Sequence, residues 1–198
     1  MKTRAALPGR VRIIAGRWRG RRIAVPDCAG LRPTPDRVRE TLFNWIMPVL
    51  SGARCLDLCA GTGALGLEAA SRDAAEVVFV ESDRRAADAI EAACARLQAV
   101  GVTIMRADVR AWLAGRPRPF DIVFLDPPYQ CDLRSECCRL LDGGWLAVPA
   151  RVYVERPRGA PAETVPPHWR VHRELDAGRV HATLYHVDRD DAGSRREP

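Results

Sequence analysis

The sequence predicts an α/β protein whose mostly parallel seven-stranded sheet is closed by an antiparallel hairpin. From residue 54 onward, short apolar runs alternate with helical segments, which is typical of parallel strands joined by helical crossovers. Several runs, such as FDIVFLD, are largely apolar without alternation, as expected of strands covered on both faces. The last two runs flank Ala177-Gly178 and predict the closing hairpin. The predicted strands are 53–58, 76–81, 102–107, 120–126, 150–156, 169–176 and 179–187, and the predicted helices are 64–72, 83–100, 108–115 and 132–144.

Ahead of this unit, the sequence predicts a separate β-hairpin. VRIIA and RRIAV are short apolar runs on either side of GRWRG, residues 16–20, and this pattern indicates two strands around a basic, aromatic tip. Trp18 at the tip has two interpretations that the sequence leaves open. Its ring either stacks on RNA or anchors the hairpin to the body of the protein.

A helix is predicted after the hairpin and its turn-rich linker. Thr34 is suited to cap it, with Pro35 at the first helical position, and the helix runs to about Leu50. The final residues are polar and predict a frayed tail. We therefore expect three segments, namely the hairpin with its linker at 1–33, the main domain at 34–187 and the polar tail at 188–198.

The net positive charge of the chain comes from its first fifth, because basic and acidic residues nearly balance in the rest. The 198 residues carry 31 Lys+Arg and 25 Asp+Glu, a net charge of +6, and residues 1–40 alone hold 11 basic and 3 acidic residues. Lys2 is the only lysine, and arginine offers a planar fork that pairs with phosphate and stacks on bases. A general preference for arginine does not explain this clustering, so we expect a nucleic-acid partner. The candidate contacts in the hairpin are Arg10, Arg12, Arg17, Arg19, Arg21 and Arg22.

Composition excludes several other classes of protein. No apolar run approaches the ~18–20 residues of a transmembrane helix, and the N-terminus has no apolar core of a signal peptide. The seven cysteines are then reduced thiols, and we expect a cytoplasmic protein without a membrane contact. Their spacings lack the pairs that structural zinc sites use, so no metal is expected. We expect a monomer.

A glycine-rich loop follows the first strand of the main domain and predicts a nucleotide site. Gly61, Gly63 and Gly66 match G-x-G-x-x-G, in which glycines allow close backbone approach and the helix N-terminus presents free N–H groups. The same pattern fits a dinucleotide-binding fold. Glu81 ends the second strand, where a carboxylate accepts hydrogen bonds from ribose hydroxyls of NAD or of S-adenosylmethionine. The alternative for Glu81 is an ordinary solvated strand end.

Two further carboxylates favour S-adenosylmethionine. Asp57 lies just before the glycine loop, where it suits the cationic end of a methionine moiety better than a pyrophosphate. Asp108 follows the third strand and is placed to accept from an adenine amino group. It is also a candidate N-cap for the short helix after it, and the two roles do not exclude each other.

The fourth strand ends in Asp126-Pro127-Pro128-Tyr129. Two prolines fix the backbone and remove two N–H donors, which leaves carbonyl and carboxylate acceptors beside an aromatic ring. Such a group suits a planar base with an exocyclic amino group, because the ring stacks on the base while the acceptors take both amino hydrogens. Holding these hydrogens favours a tetrahedral nitrogen whose lone pair is aimed at a sulfonium methyl group. The alternative is a rigid turn with a buried tyrosine.

At these residues the chain resembles the amino-group-specific class I S-adenosylmethionine-dependent methyltransferases, which have a Rossmann-like fold. It is most similar to bacterial 16S ribosomal RNA (guanine-N2) methyltransferases of the RsmD type, over about residues 11–187. The resemblance implies methyl transfer to N2 of one guanine in 16S RNA, on an assembled or late-precursor small subunit. The motifs that carry it are RIIAGRWRGRRIAVP, LRPTPDRVRETLFNW, DLCAGTGALGLEA, FVESD, DPPY, YVE and WRVHRELDAGRV.

The resemblance also assigns residues. Those implied to bind the amino group and stack on the base are Asp126, Pro127, Pro128 and Tyr129. Those implied to bind the cofactor are Asp57, Ala60, Gly61, Gly63, Glu81, Ser82, Asp108 and Val109. A basic segment near the substrate mouth comprises Arg32, Thr34 and Arg37. Cys59 departs from the family, which usually carries an aromatic residue there, and this affects how position 59 packs against the cofactor.

Three other functions remain open at this point. An amino methyltransferase acting on DNA adenine or cytosine also uses D-P-P-Y, but it predicts a target-recognition insertion for which this chain has no room. A ribosome-assembly factor without catalysis predicts damaged cofactor residues, and none of the expected residues is missing. An NAD-linked oxidoreductase leaves D-P-P-Y and the arginine-rich arm unexplained.

Overall fold

The computed structural model describes residues 9–26, 28, 34–127 and 133–188. The strands are β1 (Arg10–Arg12), β2 (Arg22–Ala24), β3 (Arg54–Leu58), β4 (Glu76–Glu81), β5 (Val102–Arg106), β6 (Phe120–Leu125), β7 (Leu146–Pro157), β8 (Trp169–Ala177) and β9 (Val180–Val187). The helices are α1 (Asp36–Leu50), α2 (Ala64–Ser71), α3 (Arg84–Leu97), α4 (Val109–Leu113) and α5 (Leu133–Leu141). In these ranges no helix is long and apolar enough to span a bilayer.

The main sheet has the seven strands that the sequence predicts, and their order is β5-β4-β3-β6-β7-β9-β8. Strands β3 to β7 pair in parallel, while β9 is antiparallel to both β7 and β8. The strand order reverses between β3 and β6, because β3 continues to β4 on one side and β6 continues to β7 on the other. In an open α/β sheet, ligands bind beyond the carboxyl ends of the strands at such a switch point.

Helices cover the sheet on both faces. One core contains Leu42 of α1, Leu67 of α2 and Ile90 of α3. The core on the opposite face contains Leu113 of α4 and Leu141 of α5. Burial on both faces explains why the central strands are apolar without alternation.

The helix after the linker begins later than the sequence predicts. α1 starts at Asp36, and Pro35 is its N-cap with an extended ψ of 145° and no side-chain capping bond. Thr34 therefore lies one residue too early to reach the free N–H groups of the first turn, and the prediction that it caps α1 is wrong. Several other boundaries also differ, by one to four residues. β7 begins at Leu146 rather than 150, and α4 ends at Leu113 rather than 115.

The N-terminal hairpin docks against the end of α2. β1 pairs with β2 from Arg10–Ala24 to Arg12–Arg22. The N–H of Arg17 donates to the Ser71 carbonyl at 2.7 Å, and the N–H of Trp18 donates to Ser71 Oγ at 2.9 Å. Trp18 is only 7% exposed, so the indole anchors the hairpin to the body of the protein.

Gly16 is required where the hairpin meets α2. Its φ is +79°, and a Cβ at this position would lie 1.9 Å from the Ser71 carbonyl oxygen. Both the left-handed backbone and the close approach need a residue without a side chain.

A buried carboxylate ties the hairpin to two helices. Glu68 of α2 is fully buried and accepts hydrogen bonds from the N–H groups of Ile14 and Ala15, at 2.8 and 2.9 Å. The same carboxylate lies 3.6 Å from the guanidinium of Arg39 and 2.8 Å from that of Arg72. Two cations and two backbone donors therefore share one anion.

Arg39 connects this network to the start of α1. Its side chain is fully buried, and its Nη2 donates to the Arg12 carbonyl at 3.0 Å and to Asp36 at 2.6 Å. Arg39 belongs to the LRPTPDRVRE motif, so part of that motif is structural rather than RNA-binding.

Replacing Glu68 tests the network. We expect Glu68→Ala to lower the free energy of unfolding by about 3–5 kcal/mol. The substitution removes the buried carboxylate partner of Arg39 and leaves the N–H groups of Ile14 and Ala15 without acceptors. Urea unfolding followed by circular dichroism measures the difference.

The control is Asp88→Ala, which removes the exposed pairs with Arg84 and Arg106 and should cost about 1 kcal/mol or less. Equal losses in the two variants would show that the Glu68 network contributes no more than a surface ion pair.

Candidate active site at the carboxyl edge of the sheet

The candidate site begins with the loop between β3 and α2. Gly61 and Gly63 have φ values of 56° and 70°, and Cys59 shares this left-handed conformation at 57°. The Ala60 N–H donates to the Val80 carbonyl at 3.1 Å, and the Gly63 N–H donates to the Ala60 carbonyl at 2.7 Å. The loop is therefore held beside the end of β4. Two of its three left-handed positions are occupied by glycine, the residue that adopts this conformation most easily.

Glu81 at the end of β4 is fixed by the loop. Its Oε2 accepts from the Gly61 N–H at 2.7 Å and its Oε1 accepts from the Asp83 N–H at 2.8 Å. The residue is 8% exposed, so it is not the solvated strand end that was the alternative. Each carboxylate oxygen has a second lone pair, so the oriented group retains acceptor capacity for a diol. The next residue, Ser82, is exposed.

Asp57 lies under the loop. Its Oδ2 accepts from the Gly66 N–H at 2.8 Å, and burial raises the pKa of this carboxyl to about 8. A Cβ at Gly66 would lie 2.2 Å from the Phe79 ring and 3.0 Å from Asp57 Oδ2. The third glycine of the motif is therefore needed for close packing between α2 and the sheet.

Asp108 is the N-cap of α4, as one of its two interpretations predicts. Its carboxylate accepts from the N–H groups of Arg110 and Ala111 at 2.9 and 3.2 Å. The side chain is exposed, so the capping role leaves acceptor capacity for a ligand. Val109 is buried in the core that α4 and α5 share.

Asp126 follows β6 directly and is half-buried, beside the buried residues Thr34 and Glu155. The hydroxyl of Thr34 donates to its Oδ2 at 3.4 Å. Burial, together with the nearby charges of Glu155 and Asp57, raises the pKa of Asp126 well above its usual range. Pro127 is buried beside it. Pro128 and Tyr129 lie outside the described residues, so base stacking by Tyr129 stays a prediction.

Glu155 was assigned no role from the sequence, although YVE carries it. It is 4% exposed, and its Oε2 accepts from the Tyr153 hydroxyl at 2.9 Å. Burial raises its pKa, while hydrogen bonds from Tyr153 and Thr34 oppose that shift. An acidic residue directly after the apolar run Val152–Val154 was the available signal.

The arginines predicted to contact RNA are exposed. Arg12 lies 3.6 Å from Asp36 and Arg17 lies 3.5 Å from Asp73, but these pairs are open to solvent. Arg32 lies outside the described residues. The other exposed members are Arg10, Arg19, Arg21, Arg22 and Arg37.

The hairpin and Asp126 share one face of the sheet. Trp18 and Phe124 belong to the same core, and Asp126 is two residues beyond Phe124, so alternation along the strand directs both side chains to that face. The basic surface and the acidic site are therefore on the same side of the protein.

The strand order, the glycine loop at the switch point and the carboxylates around it define a class I S-adenosylmethionine-dependent methyltransferase. A family model described as "Conserved hypothetical protein 95" matches residues 11–186. The chain belongs to this family.

Two curated relatives carry the same name, "Ribosomal RNA small subunit methyltransferase D". The protein from Escherichia coli K12 is 48% identical over 178 residues, which are 89% of this chain and 90% of the relative. The protein from Haemophilus influenzae is 42% identical over 183 residues, which are 89% and 94% of the two chains.

Solved structures agree with the fold. A "putative methyltransferase" from Escherichia coli has a TM-score of 0.85 and 43% identity, covering 91% of this chain and 99% of its own. An RNA methyltransferase from Salinibacter ruber, solved in complex with S-adenosyl-L-homocysteine, has a TM-score of 0.63 and 16% identity. It covers 80% of this chain and 95% of its own, and at this identity the likeness shows the fold.

The raised pKa of Asp57 gives a test of its predicted cofactor contact. If the Asp57 carboxylate binds the cofactor's ammonium group, binding below pH 8 requires the loss of a proton from Asp57. We therefore expect the affinity for S-adenosylhomocysteine to rise between pH 6 and pH 8, by up to about tenfold per pH unit. Isothermal titration calorimetry in two buffers measures both the affinity and the released proton.

Asp57→Asn should bind more weakly and without this pH dependence. Asp121→Asn is the matched control, because Asp121 also accepts from a backbone N–H, that of Arg54 at 2.7 Å, but lies at the opposite end of the sheet. If Asp57→Asn keeps the dependence of the unmodified protein, another group binds the ammonium.

Proposed function

We propose that the protein transfers a methyl group from S-adenosylmethionine to N2 of one guanine in 16S ribosomal RNA, on the assembled or late-precursor small subunit. It acts as a monomer in the cytoplasm. The observation that carries the proposal is Asp126, half-buried at the end of β6 beside the glycine loop and opening the D-P-P-Y motif. The names of the two rRNA methyltransferase relatives support the choice of RNA.

The residues present fit S-adenosylmethionine. The loop of Ala60, Gly61 and Gly63, in which both glycines are left-handed, allows close backbone approach, and Glu81 offers oriented acceptors for the ribose hydroxyls. Asp57 suits the ammonium group. Asp108 accepts from the adenine amino group, and Ser82 and Val109 flank these two carboxylates along the chain. When bound, S-adenosylmethionine supplies a sulfonium methyl carbon that accepts a nitrogen lone pair as its carbon–sulfur bond breaks.

The base is held by the residues after β6. Asp126 accepts one hydrogen of the guanine amino group and the main-chain carbonyl of Pro127 accepts the other, while Tyr129 stacks on the ring. Pro127 and Pro128 contribute no N–H donors at this point, so the amino nitrogen meets acceptors only. These contacts turn the nitrogen lone pair out of the ring plane, and catalysis consists of orientation and electrostatics.

Asp126 also receives the proton that N2 loses on methylation. A carboxylate in water is a weak proton acceptor, but burial and two neighbouring carboxylates raise the pKa of Asp126 and so make its ionised form more basic. The Thr34 hydroxyl holds Oδ2 by hydrogen bonding, which orients the carboxylate toward the base.

The N-terminal segment of residues 1–33 supplies the RNA-binding surface, and residues 34–187 supply the methyl-transfer domain. The exposed hairpin arginines pair with phosphates of the small-subunit RNA near the target. Arg32 and Arg37 extend this surface toward the site, where the buried Thr34 contacts Asp126.

Methyl transfer with labelled cofactor tests the function. Purified protein and tritiated S-adenosylmethionine are offered 30S subunits, free 16S RNA and genomic DNA from a strain that lacks the activity. We expect label in 30S subunits as N2-methylguanosine. Asp126→Ala should lower the rate by about 10²- to 10⁴-fold while S-adenosylhomocysteine affinity stays within a few-fold.

Label in DNA would establish the DNA amino methyltransferase instead. No label in any pool, with cofactor still bound, would show another substrate or a binding protein. Parallel loss of transfer and cofactor affinity in Asp126→Ala would overturn the role given to Asp126.

Neutralising the hairpin tests the RNA surface. Replacing Arg17, Arg19, Arg21 and Arg22 by Gln should weaken RNA binding and flatten its salt dependence, because each lost phosphate contact removes about 0.7 from the slope of log K against log salt for single strands. Filter binding at four salt concentrations measures the slope.

A matched variant replaces four exposed arginines on the β8–β9 side of the sheet by Gln, with the same change in net charge. These are Arg158, Arg170, Arg173 and Arg179. If both variants flatten the slope equally, the hairpin is not the specific RNA contact.

A further inference from the structure

We propose that Glu155 is a specificity-determining residue that, together with Asp126, selects guanine by its Watson–Crick edge. The inference rests on the proposed function and adds to it the residue that distinguishes guanine from adenine and cytosine. Asp126 accepts from the N2 amino group, and Glu155 accepts from the neighbouring N1–H.

The strand register places the two carboxylates side by side. β6 and β7 are parallel neighbours, and Leu125 is opposite Val154, so Asp126 and Glu155 occupy the next pair of positions at the carboxyl ends. Adjacent strands lie about 4.8 Å apart, a spacing suited to two neighbouring groups on one base edge. Phe124 and Tyr153 are the preceding residues on this face, and both lie in the same core.

Neighbouring hydroxyls orient the Glu155 carboxylate. The Tyr153 hydroxyl donates to Oε2 at 2.9 Å, and Tyr153 itself is fully buried. The Thr34 hydroxyl donates to Asp126 Oδ2 at 3.4 Å, and its proximity to Glu155 opposes the rise in the pKa of that carboxyl. Within the described residues, none of the ion pairs includes either acid. The pair is therefore held by hydrogen bonds from hydroxyls.

The chemistry of the bases explains the selection. Guanine presents two adjacent donors, N1–H and the N2 amino group, whereas adenine and cytosine present an amino donor beside a ring nitrogen that accepts. A single carboxylate after β6 fits the amino group of all three bases. A second acceptor beside it matches guanine and places a carboxylate against the ring-nitrogen lone pair of the other two.

The same pairing accounts for two acids buried together. Burial raises the pKa of both carboxyls, and the charge of Glu155 raises the pKa of Asp126 further. A donor–donor base edge is the ligand that relieves this repulsion.

A base analogue separates this role from a structural one. 2-Aminopurine keeps the N2 amino group but has an unprotonated N1 and no O6, so it removes the N1–H contact when placed at the target position found by the transfer assay. The unmodified protein should favour guanine over 2-aminopurine by at least about 10²-fold in kcat/KM, since a site built to accept a hydrogen bond rejects an analogue lacking the donor. In Glu155→Gln the amide can donate to N1, and the preference should fall below about tenfold.

2-Aminopurine also lacks O6, and this loss affects the unmodified protein and Glu155→Gln equally. Comparing the guanine preference of the two proteins therefore isolates the effect of N1–H. Glu163→Gln is the control, because Glu163 is also buried and accepts from a tyrosine hydroxyl, that of Tyr185 at 2.6 Å. It should keep the preference of the unmodified protein. The melting temperature and S-adenosylhomocysteine affinity of each variant establish that the fold and cofactor site are intact.

A fall in the preference that is confined to Glu155→Gln supports the inference. If Glu155→Gln slows both substrates equally, Glu155 only supports Asp126 and the inference is wrong. If the unmodified protein methylates both substrates equally, N1–H is not read and the inference is also wrong. Absence of transfer to guanine by the unmodified protein would instead overturn the proposed function.

Discussion

The buried carboxylate of Glu68 is the interaction on which the arrangement of the N-terminal half depends. A hairpin of two three-residue strands is too small to be stable alone, so it must be held by the body of the protein. Glu68 does this by accepting from two hairpin N–H groups while it pairs with Arg39 and Arg72. A fully buried anion is tolerated only with such partners, so each element of the network requires the others.

The same network fixes the start of α1 and, through it, one side of the candidate site. Arg39 binds Asp36 in the first turn of α1 and the Arg12 carbonyl in the hairpin. Thr34 lies two residues before Asp36, and its hydroxyl contacts Asp126. Movement of the hairpin would therefore displace Thr34, which orients the Asp126 carboxylate. The basic hairpin and the acidic site are therefore connected through the start of α1.

Much of the fold could be predicted from the sequence because local patterns and topology agree. Apolar runs and turn residues give all seven main strands, and the glycine loop and Asp126 fall at the carboxyl edge as parallel topology requires. The predicted start of α1 was wrong because threonine is a common N-cap residue. The structure shows that the Thr34 hydroxyl donates to Asp126 instead. The burial of Arg39 and Trp18 could not be predicted for the same reason. Their partners, Glu68 and Ser71 respectively, are more than 25 residues away in the chain, so local sequence does not reveal the contacts.

The acids at the carboxyl edge illustrate why site residues are harder to predict than the core. Asp57 and Glu155 lie within strands and Asp126 directly follows one, at positions where apolar residues would be more stable. Desolvation raises the pKa of each carboxyl, and the charges of Glu155 and Asp57 disfavour ionisation of Asp126. Such a cluster opposes folding, and its retention at the switch point of the sheet is expected of a binding site. The protein tolerates it because the destabilising charges lie at one edge, while the two apolar cores and the Glu68 network stabilise the rest.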